Sequence, residues 1–464
     1  MYQFCKLGIF NDCFFYFMTF TRDEAYTGSQ AGQIRNKLKE ILSRTEFRII
    51  RSIFAGADYL SLPGMDKEND FIYRDAASGS VITASGRTVT LRNFNPEELA
   101  DIFASLTSDI LPPEMRSLPL FLGISSFDDA SGDPFWKELP WSEWYIPAYL
   151  KIRTEHELTE VHITLQAEYG GTDQEVFAEF INPLPSEQMF FPEKELAEWS
   201  EKVEFIKDQI VHGSVSKVVL ARRITGLLPQ PSAPEEVFTE MMTENPHDTG
   251  YFYRCMDAVF MGATPEKLLS VKDGQIYTEA IAGSIKRNGI YNEQEMSEVL
   301  STSEKDLDEH ILVRDFLLDN LRAFSSEIQY DKTPTIKKLR NLFHLKTMIA
   351  GSMKSPGLSS ALRLVSRIFP TPAVCGTPKE KAAEIIREIE AAPRGYYAGI
   401  MGYFTLNGNC DFAVTIRSIL LRGNVFAAYA GCGIVKNSDP VLEFEESTVK
   451  LKTATAHLLY ANQS

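Results

Sequence analysis

Tyr397-Ala-Gly-Ile-Met-Gly-Tyr-Phe-Thr-Leu406, Asp411-Phe-Ala-Val-Thr-Ile-Arg-Ser-Ile-Leu-Leu421 and Val425-Phe-Ala-Ala-Tyr-Ala-Gly-Cys-Gly-Ile-Val435 follow one another almost without interruption. They are separated only by Asn407-Gly408-Asn409 with Cys410 and by Arg422-Gly423-Asn424. Runs rich in β-branched and aromatic residues, divided by Asn-Gly turns, predict three strands joined by hairpins. Strands joined by short turns are antiparallel neighbours, which excludes the β-α alternation of a doubly wound fold and predicts an α+β class.

Upstream, a strand is predicted over Lys217 to Leu228 and another over Tyr251 to Gly262. Leu268 to Lys272 and Gln275 to Ile281 flank Asp273-Gly274 and read as a hairpin with a type I′ turn. Leu300, Leu307, Leu312, Phe316 and Leu321 predict one long helix. Thr377-Pro378-Lys379-Glu380 reads as a capping box opening a helix over Lys379 to Glu390, with Pro at its first position. Leu196, Trp199, Val203, Ile206 and Ile210 make 194–211 an amphipathic helix. Residues from about 20 to 190 carry alternating runs (Ser80-Val-Ile-Thr-Ala84, Arg87-Thr-Val-Thr-Leu-Arg92, Leu158-Thr-Glu-Val-His-Ile-Thr-Leu165) among Pro- and aromatic-rich loops, ending at Pro183-Leu-Pro-Ser186 and Phe190-Phe-Pro192. The chain thus divides into a β-rich half, 1–190, and a second half, 191–464. Cys13 to Phe20 is apolar and too short to span a bilayer. It reads either as an extra strand or as part of an extension, 1–17, ahead of a start at Met18, and the second reading is preferred.

The chain has 464 residues, 44% apolar and 24% charged, a globular composition. Its 47 Lys and Arg against 63 Asp and Glu leave a net charge of −16, which disfavours general nucleic-acid binding. An anionic substrate would then need local cations or a metal. The six cysteines are dispersed among only seven histidines, with no zinc-like spacing, and read as reduced thiols of a cytoplasmic protein without a membrane association. Phosphate-loop, dinucleotide-binding, serine-hydrolase and zinc-protease motifs are absent.

The remaining candidates are ambiguous one by one. Lys217 is a lysine in an apolar strand: an edge lysine with a solvated ammonium, or a desolvated base. Glu266 follows a turn, where a carboxylate is ordinarily exposed. Asp306 and Glu309 share one helix face, and Glu443, Glu446 and Lys450 share another; a solvated charged surface explains either alone. Together, carboxylates without His or Cys partners suit a hard ion, Mg²⁺ rather than zinc. Tyr429-Ala-Gly431-Cys-Gly433 can offer backbone N–H groups to an anion, and Arg417 a planar fork to a carboxylate.

The order of the segments narrows this reading. Lys217-Val-Val-Leu-Ala-Arg222, Gly262-Ala-Thr-Pro-Glu-Lys-Leu268, Glu279-Ala-Ile-Ala-Gly-Ser284, Asp308-Glu-His310, His344-Leu-Lys-Thr347, Pro370-Thr-Pro-Ala-Val-Cys-Gly376, Tyr396-Tyr-Ala-Gly399, Ile416-Arg-Ser418, Ala430-Gly-Cys-Gly-Ile-Val435 and Glu443 to Lys450 resemble, in sequence, the chorismate-utilising enzymes. The match covers about 195 to 455 and is most similar to the isochorismate synthases. The resemblance implies two large antiparallel sheets wrapped by helices, with the active site in a cleft between two halves of one compact unit. It implies chorismate as substrate and Mg²⁺ as cofactor. Lys217 would be the base that activates water for attack at C2, and Glu266 the acid that protonates the departing C4 hydroxyl. Glu309 and Glu446 would hold Mg²⁺, with Asp306 and Glu443 nearby. Gly283 and Ser284 would grip the ring carboxylate; Tyr397, Arg417, Gly431 and Lys450 the enolpyruvyl carboxylate. His344 falls in a matching segment and is included with the substrate-binding residues.

Ala373 stands where aminating and pyruvate-eliminating relatives resemble one another in carrying Thr, which favours water addition without a glutaminase partner; a monomer is the default expectation. An aminodeoxychorismate- or salicylate-synthase-type enzyme is the alternative of the same class, and a non-catalytic chorismate-binding protein the alternative of another. The product could feed menaquinone or siderophore synthesis. Phe369 where the family has His, Cys375 for Gly and Ser447 for Thr depart from the pattern without removing a proposed site residue.

Overall fold

The computed structural model describes residues 2–10, 13–22, 27–53, 70–165, 192–228, 233–287, 292–339 and 342–460. The segments Pro183–Ser186 and Phe190–Phe191, which the sequence suggests as the end of the first half, lie outside the described residues.

Two large sheets dominate. A 12-stranded sheet runs Tyr2–Phe10, Cys13–Thr21, Val89–Arg92, Ser142–Ile146, Phe121–Ser125, Ile400–Phe404, Cys410–Val414, Lys267–Lys272, Gln275–Lys286, Leu342–Met353 and Ser325–Tyr330, with Thr335–Lys338 also pairing to Leu342–Met353. An 11-stranded sheet runs Gly376–Thr377, Lys217–Leu227, Val425–Ile434, Ser418–Arg422, Ala258–Thr264, Thr249–Cys255, Phe71–Arg74, Val81–Ser85, Tyr149–Arg153, Glu157–Leu165 and Thr45–Ile53. All described pairings are antiparallel except Cys13–Thr21 with Val89–Arg92. Each sheet draws strands from both halves of the sequence. Helices, including Pro192–Val211, Glu304–Phe324, Lys379–Ile389 and Pro440–Tyr460, accompany the sheets, as an α+β class requires. Among the described residues no helix is long and apolar enough to cross a membrane.

The sheets share one core. Ile400, Phe404 and Phe412 from the larger sheet and Phe71, Tyr251, Tyr253 and Phe260 from the smaller belong to a single buried cluster. A polar knot is buried within it. Glu143 is fully buried and accepts hydrogen bonds from Arg87 Nε and Arg92 Nε, each at 2.9 Å, and from the Tyr253 hydroxyl of the other sheet at 2.5 Å. Burial alone would raise its pKa, but the two guanidinium groups outweigh burial and hold it at about 2.

Four local expectations need correction. The run 411–421 is not one strand: it splits into Cys410–Val414 in the larger sheet and Ser418–Arg422 in the smaller. The chain changes sheet over 415–417, with Arg417 at φ 55°. The run 251–262 is a hairpin, Thr249–Cys255 with Ala258–Thr264, turning at Met256 with φ 54°. The long helix is two, Glu293–Thr302 and Glu304–Phe324, meeting at Ser303, which ends the first and caps the second by accepting from Asp306 N. No capping box opens Lys379–Ile389; Thr377 pairs with Lys217 in a strand, and Pro378 is the cap residue. The Asp273-Gly274 turn agrees with its sequence: both residues have positive φ, 51° and 76°, as type I′ demands.

Candidate active site

A cleft, partly open to solvent, lies where the sheet-crossing segment, the Gly283 strand and the helices Glu304–Phe324 and Pro440–Tyr460 meet. Glu266, Gly283, Ser284, Glu309, His344, Ala373, Tyr397, Arg417, Gly431, Glu446 and Lys450 all line it. Of the residues nominated from sequence, Lys217, Asp306 and Glu443 do not line the cleft and stand behind its wall.

Lys217 opens the strand Lys217–Leu227, flanked by Gly376–Thr377 and Val425–Ile434. It is fully buried, so it is not a solvated edge lysine. Its Nζ lies 2.9 Å from Glu309 Oε1. Gly433 makes that pairing possible: a Cβ there would fall 2.2 Å from Glu309 Oε1 and 2.6 Å from Lys217 Cε. The Lys217 ammonium finds no well-aligned hydrogen-bond acceptor, so charge attraction rather than a directed bond holds it.

Glu266 sits just past the strand Ala258–Thr264 and is buried, with its N–H directed to Thr264 Oγ1 at 3.2 Å. Burial pushes its carboxyl up to about 7; the Lys217 charge pulls the other way, and Glu279 adds to the rise. A carboxyl raised so far keeps a protonated population near neutral pH and can donate a proton.

The segment around Gly283 is a bulge, with the register of Gln275–Lys286 against Leu342–Met353 shifting between Ala282 and Ser284. Gly283 has φ 74°, and a Cβ would fall 2.8 Å from the Asp306 carbonyl oxygen. Close approach of the helix to the strand thus requires glycine. Asp306 Oδ1 accepts from Ser284 N at 3.2 Å, so this carboxylate is committed to positioning the bulge.

Lys450 and Glu446, one helical turn apart, pair at 2.7 Å, and Lys450 Nζ also donates to the Gly431 carbonyl at 2.9 Å. Glu443 pairs with Lys305 at 2.7 Å, which joins the N-terminal turns of the two helices. Each of the three carboxylates Glu309, Glu446 and Glu443 therefore carries its own lysine. Burial and the neighbouring Glu446 raise the pKa of Glu443; Lys450 overcomes burial to lower that of Glu446. Oxygens of Glu443 and Glu446 and the Cys432 sulfur lie within 4.8 Å of one another. Burial pushes the Cys432 thiol well up, so it stays neutral and is a poor ligand. The donors left are carboxylate oxygens, a set that fits a hard divalent ion.

Arg417 is buried, its Nη2 donating to His344 Nε2 at 3.2 Å and its Nη1 lying 3.7 Å from Asp248. Burial, reinforced by the Arg417 and Lys450 charges, pushes His344 down to about 3, which keeps the imidazole neutral. Tyr397 stacks on Tyr429 at 5.2 Å, with its hydroxyl near Gly431. Ala373 N donates to Thr371 Oγ1 at 3.2 Å, and Thr371 in turn reaches Glu266 at 3.5 Å.

Sequence reasoning missed Val219, Val374 and Tyr429 as lining residues and Thr371 as the Glu266 partner. Tyr429 and Thr371 lay inside motifs already singled out, so proximity to those motifs was the available signal. The arrangement places an acid, Glu266, and cations for two carboxylates in the cleft, with Lys217 behind the wall and ion-paired to the lining carboxylate Glu309.

Comparison with known proteins identifies the family. The family described as "Chorismate binding enzyme" matches residues 58–459. An isochorismate synthase of Bacillus subtilis is 31% identical over 353 residues, 72% of this chain and 73% of that protein. A vibriobactin-specific isochorismate synthase of Vibrio cholerae is 30% identical over 344 residues, 73% of this chain and 79% of that one. The solved structure of the menaquinone-specific isochorismate synthase of Escherichia coli superposes with TM-score 0.69 at 22% identity, covering 93% of this chain and all of that one (100%), which shows a shared fold.

Proposed function

The chain belongs to the chorismate-binding enzyme family, and from that premise we propose that it isomerises chorismate to isochorismate by adding water at C2 and releasing the C4 hydroxyl as water. The overall change is an isomerisation, because one water enters and one leaves. Lys217 stands behind the cleft wall as an ammonium paired with Glu309, so it acts as the base only after losing that proton to solvent. As the neutral amine turned toward the cleft it takes a proton from the attacking water, the two ring double bonds shift, and Glu266 donates a proton to the departing oxygen. Hydroxide leaves poorly near neutral pH, so the acid is essential. The single observation that carries this reading is the placing of Glu266, a buried carboxyl that burial keeps raised, in the same cleft as the carboxylate that holds Lys217.

Arg417 and Lys450 orient the enolpyruvyl carboxylate beside Tyr397 and Gly431, and the backbone at Gly283 and Ser284 grips the ring carboxylate. Glu309 and Glu446 are the residues that would hold Mg²⁺, with Asp306 and Glu443 behind them. When bound, the ion supplies positive charge to neutralise the ring carboxylate. Ala373, a methyl where an aminating or eliminating enzyme would present a hydroxyl, supports water as the nucleophile and no glutaminase partner. Incubating the purified protein with chorismate and Mg²⁺, with and without ammonia, tests the reading. Isochorismate without ammonia supports it, whereas an aminated product only when ammonia is present, or salicylate and pyruvate as primary products, replaces it.

A further inference from the structure

Three walls of the cleft are held by one residue outside it. Arg394 does not line the cleft and is 1% exposed. Its Nη1 donates to the Val374 carbonyl at 2.6 Å and its Nη2 to the Val219 carbonyl at 2.8 Å. Val374 and Val219 both line the cleft, the first beside Ala373, the second on the strand that Lys217 opens. The Arg394 carbonyl accepts from Tyr397 N at 3.0 Å, which sets the turn that delivers the third wall.

The guanidinium is itself fixed on every side. Nε donates to Glu390 Oε2 at 2.8 Å and Nη2 pairs with Glu390 Oε1 at 2.5 Å; the same Oε1 accepts from Ala221 N at 2.8 Å. The Phe127 ring lies 4.4 Å beneath the guanidinium carbon. Asp128 accepts from the backbone N–H groups of Arg394 and Gly395 at 3.2 and 2.9 Å. Only a planar fork with five donors can reach two carbonyls and a carboxylate together; a lysine has one nitrogen to offer.

We propose that Arg394, with Glu390, is a positioning residue for the reaction: it fixes the spacing between the Ala373–Val374 wall and the Lys217 strand, and so the alignment of the substrate ring with the proton-transfer groups. The inference rests on the proposed function for its reaction, but the clasp itself is measurable without turnover. Arg417 and Lys450 are held by other groups, and the Tyr397 turn is set by the backbone carbonyl of Arg394, which a lysine keeps, so Arg394→Lys leaves ground-state binding largely in place. Loss of alignment acts on the chemical step, where misplacement by about 1 Å can cost on the order of 100-fold.

The test uses full-length Arg394→Lys and Glu390→Gln, the second milder because the amide oxygen can still accept from Ala221. Backbone amide exchange is followed over 217–222 and 371–376, and kcat and KM are corrected for the folded fraction. Expected for Arg394→Lys is exchange accelerated at least tenfold in those two segments, kcat lowered about 10- to 100-fold, and KM changed less than threefold. Glu390→Gln should move the same quantities less. Unchanged exchange overturns the clasp. Accelerated exchange with normal kcat, or a loss of rate that only follows the folded fraction, overturns the positioning role. If Arg394→Lys does not fold, Glu390→Gln decides by the same criteria. Failure of the wild type to convert chorismate sinks the reaction assignment alone and leaves the exchange measurement standing.

Discussion

Glu266→Gln should inactivate the protein and, above neutral pH, make it more stable. The carboxyl rises from its ordinary 4.5 to about 7 in the folded chain, chiefly because burial disfavours the anion. A group whose pKa is higher folded than unfolded favours folding most at low pH. That contribution is complete below 4.5 and is lost as pH climbs to about 7. Each pH unit in this window is worth about 1.4 kcal/mol, so the wild type should lose about 3 kcal/mol relative to a neutral isostere between pH 4.5 and 7, then level off. Because Glu266 is only 6% exposed, solvent screening removes little of this. Urea unfolding of wild type and Glu266→Gln at pH 5 and pH 8 measures it. The variant should gain about 2–3 kcal/mol on the wild type between the two conditions while its turnover falls at least about 100-fold. Wild-type kcat/KM for chorismate should decline about tenfold per unit well above pH 7, as the acid is lost. An unchanged stability difference between pH 5 and 8 would refute the buried, raised carboxyl. Retained turnover in the variant would refute its role as the acid.

Further expectations follow from the same geometry. Gly433→Ala forces a methyl against Glu309 Oε1 and Lys217 Cε, so turnover should fall at least about tenfold with the fold kept, and steady-state kinetics with a thermal melt check it. Glu309→Gln should raise the Mg²⁺ concentration for half-maximal activity at least about tenfold; an identical metal titration would count against Glu309 as a ligand. Glu143→Gln removes a fully buried carboxylate from two half-buried guanidinium groups, of which Arg87 keeps Asp70 and Arg92 loses its partner, and should destabilise by about 3 kcal/mol at pH 7. Here the sign is opposite to that of Glu266. The wild-type advantage is present above the ordinary 4.5 and shrinks as pH falls toward about 2, so urea midpoints of the two proteins should converge in acid.

What the sequence disclosed depended on whether the signal was local. Asp273-Gly274 carries its turn type in its own two residues, and the structure keeps it. The crossing at 415–417 was not legible, because both flanking strands are buried on both faces and read as one apolar run. Arg417 takes positive φ there without a glycine to announce it. The turn at Met256 was hidden for the same reason. Thr377 has the side chain of a helix cap, but pairing with Lys217 claims its backbone for a strand, a case of tertiary contact overriding a local preference.

In the site, the residues that carry charge were nominated from their segments, and the cleft gathers most of them. Their relations were not readable. The sequence gives no sign that Glu309 answers Lys217, that Lys305 answers Glu443, or that Gly433 leaves the space for the first of these pairs. Such pairings join residues tens to hundreds of positions apart, and only the sheet order brings them together. Arg394 lies close to the Tyr396-Tyr-Ala-Gly399 motif yet shows its purpose only through the Val219 and Val374 carbonyls.

The most direct measurement follows oxygen. Chorismate is incubated with the wild-type protein and Mg²⁺ in H₂¹⁸O without ammonia, and the product is analysed by mass and by position of the label, with Lys217→Ala alongside. The account predicts isochorismate with ¹⁸O at its C2 hydroxyl from the wild type and none from the variant. Isochorismate that retains the original oxygen, or equal conversion by Lys217→Ala, would contradict it.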